Sequence, residues 1–178
     1  FGSYDDTTRQ TMDLLDRGLK QLRTIAQALL AQTRPAERDL TLQDFQDLTE
    51  LIRPCQQERS VGLRTELTLP DRVAVAAGPV RQATLNILLN ACHAAQPGST
   101  LDLQAQALET GHLRVTVRNH GAAPPAAALS SIAVPGMPAG AGFGLWESRR
   151  LLSDIGGSLL LDHASGITTA VIEIPMRA

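Results

Sequence analysis

The chain has 178 residues, 43% hydrophobic and 19% charged, enough to bury the core of one compact domain with or without an added element. Its net charge of −2 gives no basic surface for nucleic acid, and no apolar run approaches the roughly 18 residues of a membrane span. Cys55 and Cys92 lie far apart, so a reducing compartment is expected. The chain begins without a methionine or a signal peptide, which suggests a cytoplasmic fragment. Any connection to a membrane would come through a missing region upstream.

The first predicted element is a long amphipathic helix over residues 7–34. Its apolar side chains recur at alternating spacings of three and four residues, the pattern of a coiled-coil seam. Such a helix either lies on its own domain or pairs with another helix in a bundle or dimer, and the pattern leaves both open. The seam consists of Met12, Leu15, Leu19, Leu22, Ala26 and Leu29.

The rest of the chain predicts helices and strands that alternate along one domain. A helix is expected after Thr41, which can cap it together with Asp44, and another opens at Gly78-Pro79. A loop rich in alanine, proline and glycine covers residues 120–142 and leads into a helix over residues 145–155. The order predicts an α+β fold, a two-layer α/β sandwich with a mixed, mostly antiparallel sheet, preceded by the separate long helix. Strands are expected over residues 61–70, 71–77, 100–108, 113–119, 158–164 and 168–175.

Three alternating glycines, Gly140, Gly142 and Gly144, stand directly before the last helix. Their spacing is not that of a dinucleotide-binding loop, and no Gly-Lys-Ser/Thr follows as in a P-loop. Unhindered backbone amides at a helix N-terminus favour an anion such as phosphate. A glycine-rich hinge without a ligand would look similar.

A polar stripe runs along the leucine-rich helix before it. Asn86, Asn90 and His93 are spaced to share one helix face. The asparagines either satisfy backbone groups in the core or face a ligand, and an asparagine oxygen suits Mg²⁺. His93 is either at the rim of a pocket or simply solvated.

These motifs, in this order, resemble those of bacterial sensor histidine kinases. Asn86-x-x-x-Asn90 resembles their N box, residues 118–125 their G1 box, residues 140–159 their G2 box, and residues 166–175 their closing strand. The resemblance runs from about Asp39 to the end and implies the Bergerat ATP-binding fold of the GHKL ATPase superfamily. It divides the chain into a catalytic domain at residues 39–178 and part of a dimerisation and phosphotransfer hairpin at residues 1–36.

The resemblance also implies roles for individual residues. Asn90 matches the residue that coordinates Mg²⁺. Asn86 matches the position of the general base in hydrolysing relatives, and because asparagine cannot take a proton, phosphoryl transfer is favoured over hydrolysis. Thr168 matches a threonine near adenine. The implied ATP-binding set is Asn86, Asn90, His93, Asn119, Gly121, Ala123, Gly140, Gly142, Gly144, Leu145 and Thr168.

The G1 box departs from the family pattern at two positions. Asn119 replaces the aspartate that accepts a hydrogen bond from the adenine amino group, which should weaken that bond by roughly 1–2 kcal/mol. Ala123 replaces a glycine. These changes favour an alternative, a non-catalytic dimeric scaffold or phosphotransfer protein whose nucleotide site has decayed.

The implied function is a protein histidine kinase acting as a homodimer through its N-terminal helix. It would transfer the γ-phosphoryl group of ATP to a histidine, for relay to an aspartate of a response regulator. None of the four histidines lies in residues 1–36, so the acceptor is expected outside this chain, which then could not phosphorylate itself. An anti-sigma-factor serine kinase and a hydrolysing ATPase are further alternatives, disfavoured by the N-terminal seam and by Asn86 respectively.

Overall fold

The computed structural model describes residues 38–124, 129 and 143–177. The predicted helix of residues 7–34 lies outside these ranges, as do Gly140 and Gly142. The described elements in chain order are β1 (Asp39–Thr41), α1 (Leu42–Arg59), β2 (Gly62–Thr68), β3 (Arg72–Ala76), α2 (Ala77–Ala94), β4 (Thr100–Leu108), β5 (His112–His120), α3 (Phe143–Ser153), β6 (Ser158–Ala164) and β7 (Ile167–Pro175).

The principal sheet has five strands in the order β2-β4-β5-β7-β6. Strands β2 and β4 run parallel, whereas the other three neighbouring pairs are antiparallel. Strands β1 and β3 form a separate two-stranded antiparallel ribbon. The predicted α+β fold with a mixed, mostly antiparallel sheet is therefore confirmed.

The helices cover one face of this sheet. In β5 the side chains of Leu113, Val115 and Val117 are buried, whereas Arg118 and His120 at alternating positions are exposed. Strand periodicity explains this, since successive side chains point to opposite faces. Helix α2 packs against β5 and against the neighbouring helices α1 and α3. The apolar stripe of α2 thus supplies the centre of the core.

The start of α1 is held by a buried carboxylate. Thr41 is the N-cap, and Asp44 accepts hydrogen bonds from its backbone amide at 2.9 Å and its hydroxyl at 3.0 Å, as the capping box predicted. Asp44 is 1% exposed and also pairs with Arg38 and with Arg81 of α2. Burial alone would raise the pKa of Asp44, but the hydrogen bonds from Arg38, Thr41 and Arg81 outweigh burial and hold it well below its ordinary value. This carboxylate therefore links α1 to α2 in the charged form.

Candidate functional site

A cleft opens between helix α2, the ends of β5 and β7, and the first turn of α3. Its walls are mainly apolar, and three polar side chains stand among them, as is common where a small molecule binds. No aspartate or glutamate belongs to the part of the lining that the structure describes. The lining residues are Ile87, Asn90, Ala91, Ala94, Val117, Asn119, Ala122, Pro124, Leu145, Leu161, Thr168 and Ala170.

Asn119 is the buried polar residue of this cleft. It follows Val117 on the inward face of β5 and is 3% exposed. Its side-chain nitrogen Nδ2 has no hydrogen-bond partner among the described residues. Burying an amide N–H without a partner is unfavourable, so Nδ2 is suited to donate a hydrogen bond to a ligand.

Strand pairing places Asn119 beside Thr168. The two residues are directly opposite in the β5–β7 register, and Thr168 is in turn opposite His163 in the β6–β7 register. The hydroxyl oxygen of Thr168 lies 2.9 Å from Nδ1 of His163. A polar row of three residues therefore crosses the sheet at the end of the cleft.

His163 was not singled out from the sequence, although a local signal was present. Ser165 and Gly166 both have positive φ, 54° and 75°, as in a type I′ hairpin turn. A two-residue turn at these positions pairs residue 163 with residue 168. Recognising that turn chemistry would have placed His163 next to Thr168.

Asn86 holds the beginning of α3 and is not among the residues that line the cleft. Its Nδ2 donates to the Ser148 hydroxyl at 3.2 Å and lies 3.4 Å from the carbonyl oxygen of Gly144. The Ser148 hydroxyl donates to the same carbonyl at 2.7 Å, and Ser148 is fully buried. The amide of Asn86 therefore joins α2 to the first turn of α3.

Asn90 and His93 differ in their placement, although they share a helix face. Asn90 is exposed one turn beyond Asn86 and lines the cleft. His93 is exposed and lies outside the lining, and its backbone carbonyl accepts a hydrogen bond from Arg59 at 2.6 Å. Of the predicted polar stripe, Asn90 alone reaches the described cleft.

Residues 76–178 match the family model for histidine kinase-, DNA gyrase B- and HSP90-like ATPases, which covers more than half of the chain. The chain belongs to this ATPase family. The family implies ATP binding. No curated protein sequence matches the chain.

Solved structures similar to this ATPase include several histidine kinases. The nucleotide-free catalytic domain of histidine kinase ThkA shares 21% identity over 75% of this chain and 90% of its own, with a TM-score of 0.64. ShkA in complex with AMPPNP shares 25% identity over 77% of this chain and 30% of its own, with a TM-score of 0.64. AdeS of Acinetobacter baumannii shares 15% identity over 94% of this chain and 81% of its own, with a TM-score of 0.64. Together with the family match, they confirm the Bergerat fold.

Gly121 has a steric reason to be glycine in this ATPase. A Cβ atom there would lie 1.9 Å from the backbone oxygen of Ala94, so the end of β5 could not approach the end of α2. Across this approach the backbone amide of Gln96 donates to the carbonyl of His120 at 2.9 Å, and on the other side the amide of Gly121 donates to the carbonyl of Gly166, in the β6–β7 turn, at 3.0 Å. Gly121 thereby shapes the cleft without lining it.

Of the remaining predicted site residues that the structure describes, Leu145 lines the cleft, whereas Ala123 and Gly144 do not. Leu145 is 9% exposed and lines it. Ala123 is exposed and lies outside the lining, which its neighbours Ala122 and Pro124 join instead. At Gly144 an added Cβ would make ordinary contacts at 3.8 Å with Asn86, so space alone does not demand glycine there. Ala123, which stands where the family motif has a glycine, is therefore not part of the described lining.

No group of three or more histidine, cysteine, aspartate or glutamate residues is arranged to hold a metal ion within the described residues. None of the described helices is long and apolar enough to cross a membrane.

Proposed function

We propose that this chain is the ATP-binding catalytic region of a sensor histidine kinase. It would transfer the γ-phosphoryl group of ATP to a histidine on a dimerisation helix, for relay to an aspartate of a response regulator. The observation that carries the proposal is a cleft, in a chain of the ATPase family, with a buried Asn119 at one end whose Nδ2 has no partner among the described residues. The histidine kinase neighbours support the choice of phosphoryl acceptor.

The base of the nucleotide would lie between α2 and the sheet. The apolar side chains of Ile87, Val117 and Ala170 offer flat contacts to a purine ring there. Asn119 and Thr168 supply hydrogen-bonding groups to its edge, because the strand register sets them side by side. These residues bind and orient the base and keep water away from it.

The phosphates would lie towards Asn90 and the start of α3. The exposed carboxamide oxygen of Asn90 is a hard ligand of the type that Mg²⁺ accepts, and Mg²⁺ usually takes its remaining ligands from phosphates and water. The residues therefore fit Mg²⁺ held jointly with ATP, and the ion would neutralise charge on the phosphates. Gly140, Gly142 and Gly144 are proposed to line the phosphates, although the first two lie outside the described residues.

The position of Asn86 supports transfer to a protein group over hydrolysis. A general base must accept a proton from water, and a carboxamide has no such capacity near neutral pH. The Nδ2 atom is also engaged with Ser148 and Gly144. Asn86 therefore positions α3 and leaves water in the cleft unactivated.

The proposed partners are a second copy of the chain and a response regulator. Residues 7–34 would pair with their counterpart in a homodimer, and none of the four histidines lies in residues 1–36. The acceptor histidine would therefore come from outside these residues. We place the protein in the cytoplasm, where ATP and response regulators are found.

Calorimetric titration of the 178-residue chain with ATP and Mg²⁺ tests the nucleotide site. Binding with a Kd below about 1 mM would support it, whereas no heat of binding up to about 5 mM ATP would refute it. The second candidate, a dimeric scaffold with a decayed site, is favoured by Asn119 in place of aspartate and would give that negative result. Labelling of the intact natural protein with γ-labelled ATP tests transfer, since phosphohistidine is acid-labile and phosphoserine is acid-stable.

A further inference from the structure

The Asn119 side chain can both donate and accept hydrogen bonds at the base end of the cleft. It carries an acceptor, Oδ1, and a donor, Nδ2, on one planar group. The neighbouring Thr168 hydroxyl is hydrogen-bonded to His163, and this bond restricts the roles that the hydroxyl offers to the cleft. No side-chain carboxylate, a group that could only accept, belongs to the described lining.

No hydrogen bond from Nδ2 to a described residue holds the Asn119 carboxamide in one orientation. Its Nδ2 has no partner among the described residues, although the residue is 3% exposed. The two ends of a carboxamide exchange places by a rotation about the last side-chain bond, with almost no change of shape. The ligand therefore decides which end of the group meets it.

Purines with a 6-amino group and purines with a 6-oxo group present opposite hydrogen-bonding patterns at the edge formed by ring nitrogen N1 and the substituent on C6. A 6-aminopurine offers a donor at its exocyclic nitrogen beside an acceptor ring nitrogen. A 6-oxopurine offers an acceptor oxygen beside a ring N–H donor. A carboxamide matches either pattern with two hydrogen bonds after a flip, whereas an aspartate would match the 6-amino group and repel the 6-oxygen.

On the basis of the proposed nucleotide site, we propose that this cleft binds purine nucleoside triphosphates of both the 6-amino and the 6-oxo class. Asn119 is the residue that sets this breadth. The 6-oxygen also supplies an acceptor to Nδ2, which has no partner among the described residues, and so satisfies that buried donor. An aspartate at position 119 would differ from this asparagine by one side-chain atom and would favour the 6-amino class.

The test is calorimetric titration of the whole chain with ATP and with ITP, each in Mg²⁺. ITP is the sharper probe because it differs from ATP only at the purine edge in question, whereas GTP adds a second amino group. We expect the two Kd values to agree within about threefold in the wild type. In Asn119→Asp we expect ATP to bind tighter and ITP weaker, so that their ratio shifts by at least about tenfold.

Asn90→Asp is the matched control, because it makes the same change of one atom in the same cleft. The charge added at position 90 should change the Kd values for ATP and ITP by the same factor and leave their ratio unchanged. Wild-type binding of ATP with ITP at least about tenfold weaker would overturn the inference while the nucleotide site stands. An unchanged ratio in Asn119→Asp would also overturn it. Binding of neither nucleotide would overturn the inference and the proposed function together.

Discussion

The Nδ1 atom of His163 lies 2.9 Å from the hydroxyl oxygen of Thr168, across the β6–β7 strand pair. Thr168 also lines the cleft and is opposite Asn119 in the neighbouring strand pair. A hydrogen bond of this kind restricts rotation of the hydroxyl and so sets which of its two roles, donor or acceptor, is free for the cleft. His163 is therefore placed to act as a positioning residue behind the proposed base-binding end.

Replacing His163 by phenylalanine keeps a ring of similar size and removes the hydrogen bond. We expect the Kd for ATP to rise about threefold, because the Thr168 hydroxyl loses its fixed orientation. Calorimetry on a double-mutant cycle with Thr168→Val checks this, since the His163 change should have no further effect once the hydroxyl is gone. An equal effect in both backgrounds would show that His163 acts in another way.

Asn90→Ala should abolish Mg²⁺-dependent ATP binding while the fold survives. Asn90 is exposed, so its loss leaves no buried cavity, and it removes the one described amide oxygen proposed as a ligand of the ion. Calorimetry with ATP in Mg²⁺ and in EDTA, with a circular dichroism melt, measures both effects. The metal assignment fails if affinity in Mg²⁺ stays within about twofold of wild type.

Ser148→Ala should lower the free energy of unfolding by about 1–2 kcal/mol, because the fully buried Ser148 hydroxyl accepts from the Asn86 amide and donates to the Gly144 carbonyl, and both hydrogen bonds are lost. Urea unfolding provides the measurement. Ser153→Ala is the control, since Ser153 is exposed at the end of the same helix and should change stability by less than about 0.5 kcal/mol. Equal losses in the two variants would contradict a structural role for the Asn86–Ser148 bond.

Asp44 should make stability depend on pH in the acid range. Its pKa in the folded chain lies below the ordinary value of 3.8, so the unfolded chain takes up the proton more readily. The contribution is complete above about pH 5 and is lost as the pH falls through 3.8 and below. Asp44→Asn should cost about 2 kcal/mol at neutral pH and flatten this acid limb in urea unfolding. Asp71→Asn, an exposed loop position, should leave the profile unchanged; an unaltered acid limb in Asp44→Asn would refute the assignment.

Residues 7–34 should mediate dimerisation. The apolar seam requires a partner along its length, and a second copy provides an identical seam. Analytical ultracentrifugation should show a dimer for the 178-residue chain and a monomer for residues 38–178. A dimer that survives the deletion would place the interface on the α/β domain instead.

The principal elements of the fold could be predicted because their signals are local. Alternation in residues 113–119 and the capping box at Thr41 and Asp44 both depend on neighbours within a few positions. The approach of β5 to α2 at Gly121 could not be predicted, because the atom that excludes a side chain there belongs to Ala94, far along the chain. The separation of Asn86 from Asn90 also needed the structure, since the position of α3 decides which amide is engaged.

The amino-acid sequence by itself determined the family and the fold, because the spacing of polar and glycine motifs along the chain is read without coordinates. It also determined that Asn119 replaces an acidic residue of the resembled motif. Tertiary structure alone decided that this amide is buried without a partner among the described residues, and that Thr168 is backed by His163. The physical reason is that hydrogen-bond satisfaction depends on which distant strands become neighbours, and strand order is a property of the assembled sheet.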